Sequence, residues 1–208
     1  NFTLSCDLTV IDQNAGVIFG AKDLNNFHMW AINTYATGHD FPILRRHIFT
    51  NIQVQSMDIS LEGKFTKADI LGVERQFKIQ VVNNVIYSYL DNILIDTYES
   101  PAMRDGFIGF RVFTGNNQTH ERSYVDNVVY TYYQKDNNNV LQPVTFTEDF
   151  ENGSNDFEGS QTIVVNGNTK MDLKAPGNAD YRVLQSATDG IPMFRSEFSV
   201  TKEIQSAR

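Results

Sequence analysis

Five side chains in this sequence combine polar or soft chemistry with positions on open faces of predicted strands: Met29, Arg45, His47, Arg111 and Asp126. Strand alternation places Arg45 and His47 together on one face of residues 44–49, with Arg46 on the other. In residues 107–113 it places Arg111 with Phe107 and Phe113. If these strands are neighbours in one sheet, one concave patch is lined by four of these side chains: Arg45, His47, Arg111 and Asp126. Fixed donors and acceptors of this kind suit sugar hydroxyls, which makes the patch a candidate carbohydrate-binding site. A solvated or ion-paired sheet face is favoured over it, because most charged side chains at a surface form no more than that.

Trp30 is the only tryptophan, and a tryptophan ring can stack on the C–H face of a sugar. Its alternation partners are His28 and Ile32, however, and the isoleucine favours a core position for that face. We therefore predict that Trp30 is buried and that His28 lies at the rim or is a hydrogen-bonded core residue. Met29, on the opposite side of the strand, is then the candidate for the open face.

Catalysis is not predicted from any motif. Glycoside hydrolysis usually needs two carboxylates at a defined separation, and the candidates lie in no motif that assigns them acid or base work: Asp7, Asp23, Asp126, Glu148 and Asp149. The phosphate-binding glycine motifs and the G-x-S-x-G elbow are absent from the sequence. The four histidines show no zinc-ligand spacing. A calcium ion held by oxygens of Asp149, Asn152, Asn155 and Asp156 is possible, but a turn rich in Asn and Asp is favoured, and no cofactor is predicted.

The elements that position these residues are strands. Apolar and polar residues alternate, or apolar runs end at Asn, Asp or Gly turns, in ten segments: 2–10, 15–21, 27–33, 44–49, 53–59, 76–82, 85–90, 93–98, 106–113 and 124–133. Asn83-Asn84 predicts a two-residue hairpin loop, because asparagine tolerates positive φ. Residues 145–174 hold two or three further strands that either close the sheet structure or bridge to the next domain. With helical periodicity nearly absent, the sequence predicts an all-β, two-sheet antiparallel sandwich.

Charge and composition narrow the partners. The net charge of −8 argues against nucleic acid and anionic membrane surfaces as ligands, because neither attracts an acidic protein. No apolar stretch approaches the roughly 18 residues that span a bilayer, so membrane insertion is not predicted. Cys6 is the only cysteine and alternates with apolar residues, which predicts a buried thiol.

Three blocks resemble a known class of domain: AGVIFGAKDLNNFHMW (residues 15–30), LRRHIF (44–49), and GFIGFRVF with SYVDNVVY (between residues 106 and 130). The Gly109-Phe110-Arg111 strand and the following Asp126-Asn127-Val128 strand are similar to those of concanavalin A-like, laminin-G-like β-sandwich domains of bacterial carbohydrate-active enzymes. The resemblance covers residues 1 to about 135. It implies a jelly-roll β-sandwich.

The end of the chain, MFRSEFSVTKEIQSAR, resembles the entrance to the amino-terminal β-sandwich of family 78 glycoside hydrolases, the bacterial α-L-rhamnosidases. An R-x-E-F strand followed by an S-A-R strand is matched by Arg195, Glu197, Phe198 and residues 206–208. The resemblance implies a sandwich over residues 1–175, then a linker and the truncated start of a second β-sandwich over 176–208. That family keeps its catalytic acids in a downstream helical barrel.

The resemblance leaves several functions open. The first is a non-catalytic ancillary module of a secreted or periplasmic α-L-rhamnosidase-like enzyme, which binds a plant-type or rhamnose-containing glycan or braces the downstream catalytic domain. A stand-alone sugar hydrolase of laminin-G-like fold is the alternative, and it would require paired carboxylates near Arg111 and His47. A cell-surface adhesion module is a third possibility that fits the fold.

Overall fold

The computed structural model describes residues 1–35, 40–51, 53–101, 106–113, 120–152, 156–157, 160–176 and 180–184. These residues form strands and turns, and no helix occurs among them. The strands, in chain order, are β1 (Phe2–Val10), β2 (Asn14–Asp23), β3 (Asn26–Asn33), β4 (Ile43–Thr50), β5 (Gln53–Ser60), β6 (Glu74–Val82), β7 (Val85–Leu90), β8 (Ile93–Glu99), β9 (Phe107–Phe113), β10 (His120–Lys135), β11 (Leu141–Glu148), β12 (Gln161–Val165), β13 (Asn168–Pro176) and β14 (Asp180–Leu184).

The strands form two antiparallel sheets. One has eight strands in the order β12-β13-β10-β1-β6-β7-β8, with β11 also paired to β10, and the other has six in the order β14-β9-β2-β3-β4-β5. The predicted all-β sandwich is confirmed. Each of the ten segments predicted from alternation corresponds to one of the first ten strands.

The long strand β10 pairs with strands that follow it in the chain. Its first part, His120–Val125, pairs with β13, and its second part, Val128–Lys135, pairs with β11. The strands predicted within residues 145–174 therefore complete the eight-stranded sheet. β14 pairs with β9 in the other sheet, so the sandwich continues past Pro176. The tail motif lies outside the described residues, and of the segment 176–208 predicted as a linker and the start of a second sandwich only residues 176 and 180–184 are described.

Alternation along the strands directs one face of each sheet into the core. Phe2, Leu4, Cys6 and Leu8 of β1 are all nearly fully buried, and Trp30 of β3 is completely buried. The predictions of a buried Cys6 and a buried Trp30 are confirmed. His28 is also buried, and its Nε2 lies 2.9 Å from Ser100 Oγ, so it is a hydrogen-bonded core residue.

The hairpin turns follow from asparagine and aspartate. Asn83 and Asn84 have φ of 50° and 67°, and Asp91 and Asn92 have φ of 48° and 63°. Positive φ at both central residues is the geometry that matches the twist of the flanking strands. The predicted Asn83-Asn84 hairpin between β6 and β7 is confirmed, and the same device joins β7 to β8.

Candidate binding face

The outer face of the six-stranded sheet brings together most of the predicted site. The backbone register places Arg111, Gly16, Ala31, Arg45 and Asp58 in one row that crosses β9, β2, β3, β4 and β5. Adjacent strands lie roughly 4.8 Å apart, so the backbones of Arg45 and Arg111 are separated by about 14 Å. The residues between them are small, which leaves room for the Arg111 side chain to lie across the row towards Phe49 on β4.

A second row of residues lies next to this one on the same face of the sheet. It runs through Gly109, Ile18, Met29, His47 and Ser56. The Met29 side chain lies against Gly16, where an added Cβ would be 2.8 Å from the sulfur. Met29 lies on the predicted side of β3, but it is only 2% exposed. Its expected open position is therefore wrong, because the cross-strand neighbours that cover it cannot be read from β3 alone.

A second small cluster of buried apolar residues lies on this outer face: Ile18, Ala21, Phe27, Met29, Ala31, Phe49 and Phe107. Phe27 and Phe49 stack with ring centroids 4.2 Å apart, and His47 stacks on Phe49 at 5.9 Å. The polar groups of the face thus rest on a packed apolar layer, which holds their side chains in place.

Two cross-strand polar pairs lie over β4 and β5. Arg45 donates from Nε and Nη2 to the two carboxylate oxygens of Asp58, at 2.6 and 2.8 Å. Both side chains are 32% exposed. Hydrogen bonding to Asp58 raises the pKa of the Arg45 guanidinium above its usual value. Next to this pair, Ser56 Oγ lies 3.0 Å from His47 Nδ1. Together they present fixed donors and acceptors at the surface.

Arg111 lies between two aromatic rings. Its guanidinium carbon is 5.6 Å from the centroid of Phe49 and 5.2 Å from that of Phe113, and Nη1 lies 3.6 Å from the Met29 sulfur. Arg111 is 9% exposed, whereas Phe113 is 40% exposed. Cation–π contact with both rings orients the guanidinium, and the exposed Phe113 ring adds apolar surface to the face.

Asp126 does not belong to this face. It lies in β10, in the eight-stranded sheet, where it accepts hydrogen bonds from Asn127 N and Asn168 Nδ2 and pairs with Lys170, which also contacts Glu74. Asp126 is 1% exposed, and burial raises the pKa of its carboxyl. The expectation that it shares a patch with Arg45 and Arg111 is wrong, because β9 and β10 are consecutive in the chain but belong to different sheets.

Asp58 and Ser56 are the members of the face that the sequence interpretation missed. They alternate on one side of β5, and β4 and β5 form a tight hairpin in which they face Arg45 and His47. The signal was present: a short connection between two strands fixes their register. Counting residue pairs outward from the turn between β4 and β5 places Asp58 opposite Arg45.

The four residues considered for calcium are only partly described. Asp149, Asn152 and Asp156 line a pocket of about 430 Å³ together with Asn127, Thr147 and Glu148, while Asn155 lies outside the described residues. The Glu148 oxygens accept from the backbone N–H groups of Phe150 and Asp156, as in a side-chain-capped turn. Within the described part of the chain, no group of three or more His, Cys, Asp or Glu residues is placed to hold a metal ion. Nor does that part contain a helix long and apolar enough to cross a membrane.

Comparison with known proteins does not identify a family. No protein-family model matches the sequence, and no curated protein matches it. Among solved structures, the chain is similar to the carbohydrate-binding module CBM66 from Bacillus subtilis, with 18% sequence identity and a TM-score of 0.49 over 62% of this chain and 73% of that chain. At this identity and TM-score the likeness does not establish a ligand for this chain. The function has to be inferred from the geometry of the outer face.

Proposed function

We propose that this chain is a non-catalytic carbohydrate-binding module and that it binds sugar on the outer face of the six-stranded sheet, over β4 and β5. The observation that carries the proposal is the pair of adjacent polar contacts, Arg45–Asp58 and His47–Ser56, held on rigid strands beside aromatic rings.

The chemistry of these groups complements a sugar. Each sugar hydroxyl is both a donor and an acceptor, and the face offers both functions within one cross-strand row. Asp58 occupies two of the five N–H donors of Arg45, which leaves the others for a ligand. The exposed ring of Phe113 on β9 offers an apolar surface for the C–H face of a pyranose. Side chains already held by neighbours lose little entropy on binding.

Binding is favoured over hydrolysis by the composition of the same face. Cleavage of a glycosidic bond usually needs a pair of carboxylates roughly 5 to 10 Å apart. The two described rows contain a single carboxylate, Asp58, and its two oxygens are engaged by Arg45. Asp126, the other carboxylate considered for this region, belongs to the opposite sheet.

The finer part of the proposal concerns the parent protein. The resemblance of residues 192–208 to the family 78 entrance supports an extracytoplasmic α-L-rhamnosidase-like enzyme with a catalytic domain downstream and a rhamnose-containing glycan as ligand. The coding sequence after Arg208 tests this directly: an aromatic run ending in Asn-Gly-Lys supports the assignment, and a different continuation removes it.

Calorimetric titration with rhamnose-containing oligosaccharides tests the binding function. We expect saturable heat from the wild-type chain and at least tenfold weaker binding by Arg45→Ala, because a hydrogen bond from a charged group contributes about 1.5–3 kcal/mol. Arg122→Ala is the matched control, since Arg122 forms an equivalent two-bond pair with Asp172 at 2.8 Å on the other sheet. Its affinity should equal that of the wild type.

Two results would reject the binding proposal. Absence of heat across the panel favours a module that only braces the catalytic portion. Equal weakening by Arg45→Ala and Arg122→Ala would show that binding does not involve the outer face.

A further inference from the structure

A second polar site lies on the inner side of the same strand pair. Arg46 alternates with Arg45 on β4 and points between the sheets, where it is 8% exposed. Its Nε lies 3.6 Å from Asp96 Oδ2 on β8, and its guanidinium carbon lies 4.5 Å from the centroid of the Tyr98 ring. Nη2 donates to the sulfur of Met57 on β5, at 2.9 Å. The ion pair therefore joins the two sheets at one side of the sandwich.

Four buried polar atoms around this ion pair make no hydrogen bond to any described residue: Arg46 Nε, Asp96 Oδ2, Trp30 Nε1 and Ser88 Oγ. The register places their residues opposite one another in pairs. Trp30 is directly opposite Arg46 across β3 and β4, and Ser88 is directly opposite Asp96 across β7 and β8. The rings of Trp30 and Tyr98 lie 6.0 Å apart, which links the two sides.

A group of buried atoms without hydrogen bonds favours a polar partner. A buried polar atom left unpaired loses its hydration without compensation, and folded proteins pair roughly nine-tenths or more of these groups. Here the indole and guanidinium N–H groups donate, Asp96 Oδ2 accepts, and the Ser88 hydroxyl can do either. An O–H group is the complement, because its oxygen accepts and its proton is donated. Arg46 Nε and Asp96 Oδ2 lie 3.6 Å apart, which is longer than a direct hydrogen bond, so both atoms still lack a hydrogen-bond partner.

We propose that Arg46 of β4 and Asp96 of β8 form a hydroxyl-binding site. Its occupant accepts from Arg46 Nε and donates to Asp96 Oδ2, with Trp30 Nε1 and Ser88 Oγ as further partners. β5 and β8 are the edge strands of their sheets, and Met57, which contacts Arg46, is 56% exposed. The site therefore lies directly beneath an edge of the sandwich. The hydroxyl comes from water or from a sugar, and the site does not depend on the outer face.

The direction in which Ser88→Ala shifts the midpoint of thermal unfolding tests the site. If Ser88 Oγ bonds an occupant, Ser88→Ala lowers the midpoint of thermal unfolding by a few degrees, because a hydrogen bond is lost. If the space is dry, the same substitution removes an unpaired hydroxyl and raises the midpoint. Ser123→Ala is the matched control: Ser123 is also completely buried, and its hydroxyl donates to Asn14 O or Arg122 O, at 3.0 and 2.7 Å. Destabilisation in both variants supports the site, and a raised midpoint in Ser88→Ala alone overturns it.

A crystal structure of the wild-type chain gives an independent answer. An ordered oxygen within about 3.2 Å of both Arg46 Nε and Asp96 Oδ2 supports the site. An empty gap between these atoms overturns it, even if the protein variants fail to fold.

Trp30 then distinguishes the two sources of the hydroxyl, because it is the only tryptophan. Its fluorescence is followed during titration with L-rhamnose and with glycerol. A saturable change that persists in Arg45→Ala and is lost in Asp96→Asn assigns a sugar hydroxyl to the inner site. No change with either compound, together with the ordered oxygen, assigns water. A fluorescence change that is lost only in Arg45→Ala belongs to the outer face, and the sugar form of the inner site is then rejected.

Discussion

Replacing Glu121 by glutamine should remove a pH-dependent loss of stability. Glu121 lies in β10 and is completely buried. Its Oε1 accepts from the backbone N–H groups of Gln13 and Asn14, both at 2.6 Å, and thereby fixes the connection between β1 and β2. Oε2 makes no hydrogen bond to the described residues. A glutamine of the same shape keeps the Oε1 contacts without a charge.

The magnitude follows from the pKa of this carboxyl. Burial raises the pKa of Glu121 from 4.5 to about 7, although the two backbone N–H bonds oppose the change. The folded protein therefore holds this proton more tightly than the unfolded chain does. The contribution to stability is fully present below pH 4.5 and is lost as the pH rises through 7. At 1.36 kcal/mol per pH unit, the interval corresponds to about 3 kcal/mol.

Urea unfolding at several values between pH 5 and pH 8 measures this effect. Other buried carboxyls also contribute to the pH dependence of the wild type, so the readout is the difference between the two proteins. Let the difference be the free energy of unfolding of Glu121→Gln minus that of the wild type. We expect this difference to increase by up to about 3 kcal/mol as the pH rises from 5 to 8. Parallel pH profiles for the two proteins would refute the reasoning, whatever their absolute stabilities.

Two further predictions concern packing. Gly106→Ala should cost about 2 kcal/mol or more in urea unfolding, because its Cβ would lie 2.5 Å from Ala21 O, and backbone cannot move aside. Gly16→Ala should cost less, since its nearest contact is the flexible Met29 side chain, and the reverse order would contradict this account. The Cys6 thiol is 1% exposed, and burial raises its pKa. We expect no reaction with a thiol reagent until the protein unfolds, so rapid labelling in native buffer would show that β1 opens locally.

The strands were predictable because their signal is local. A period of two in β1 and turn residues such as Asn83 and Asn84 act within a few positions of the chain, and the structure places the strands and the hairpin where they indicate. Face membership was predictable for the same reason. Arg45 and His47 share a face of β4, and Arg111 faces the same side of the sheet from β9.

The binding site was less predictable, because its members come from different strands. Asp126 was assigned to the wrong sheet, since strand parity says nothing about which strands are neighbours. Met29 was assigned to the correct side but to the wrong environment, because its burial depends on residues of β2, β4 and β9. No local sequence pattern predicts the ion pair between Arg46 and Asp96, since the two residues lie in different sheets.

Local patterning therefore decides which residues form strands, where the chain turns and which side of each strand is apolar. Only the tertiary structure decides that β1 pairs with β10 and that β9 crosses to join β2 in the other sheet. The reason is that strand pairing is selected by the free energy of burying apolar side chains between the two sheets. Residues far apart in the chain contribute to that burial together. The outer face and the inner hydroxyl site both arise at that level, on opposite sides of the same strand β4.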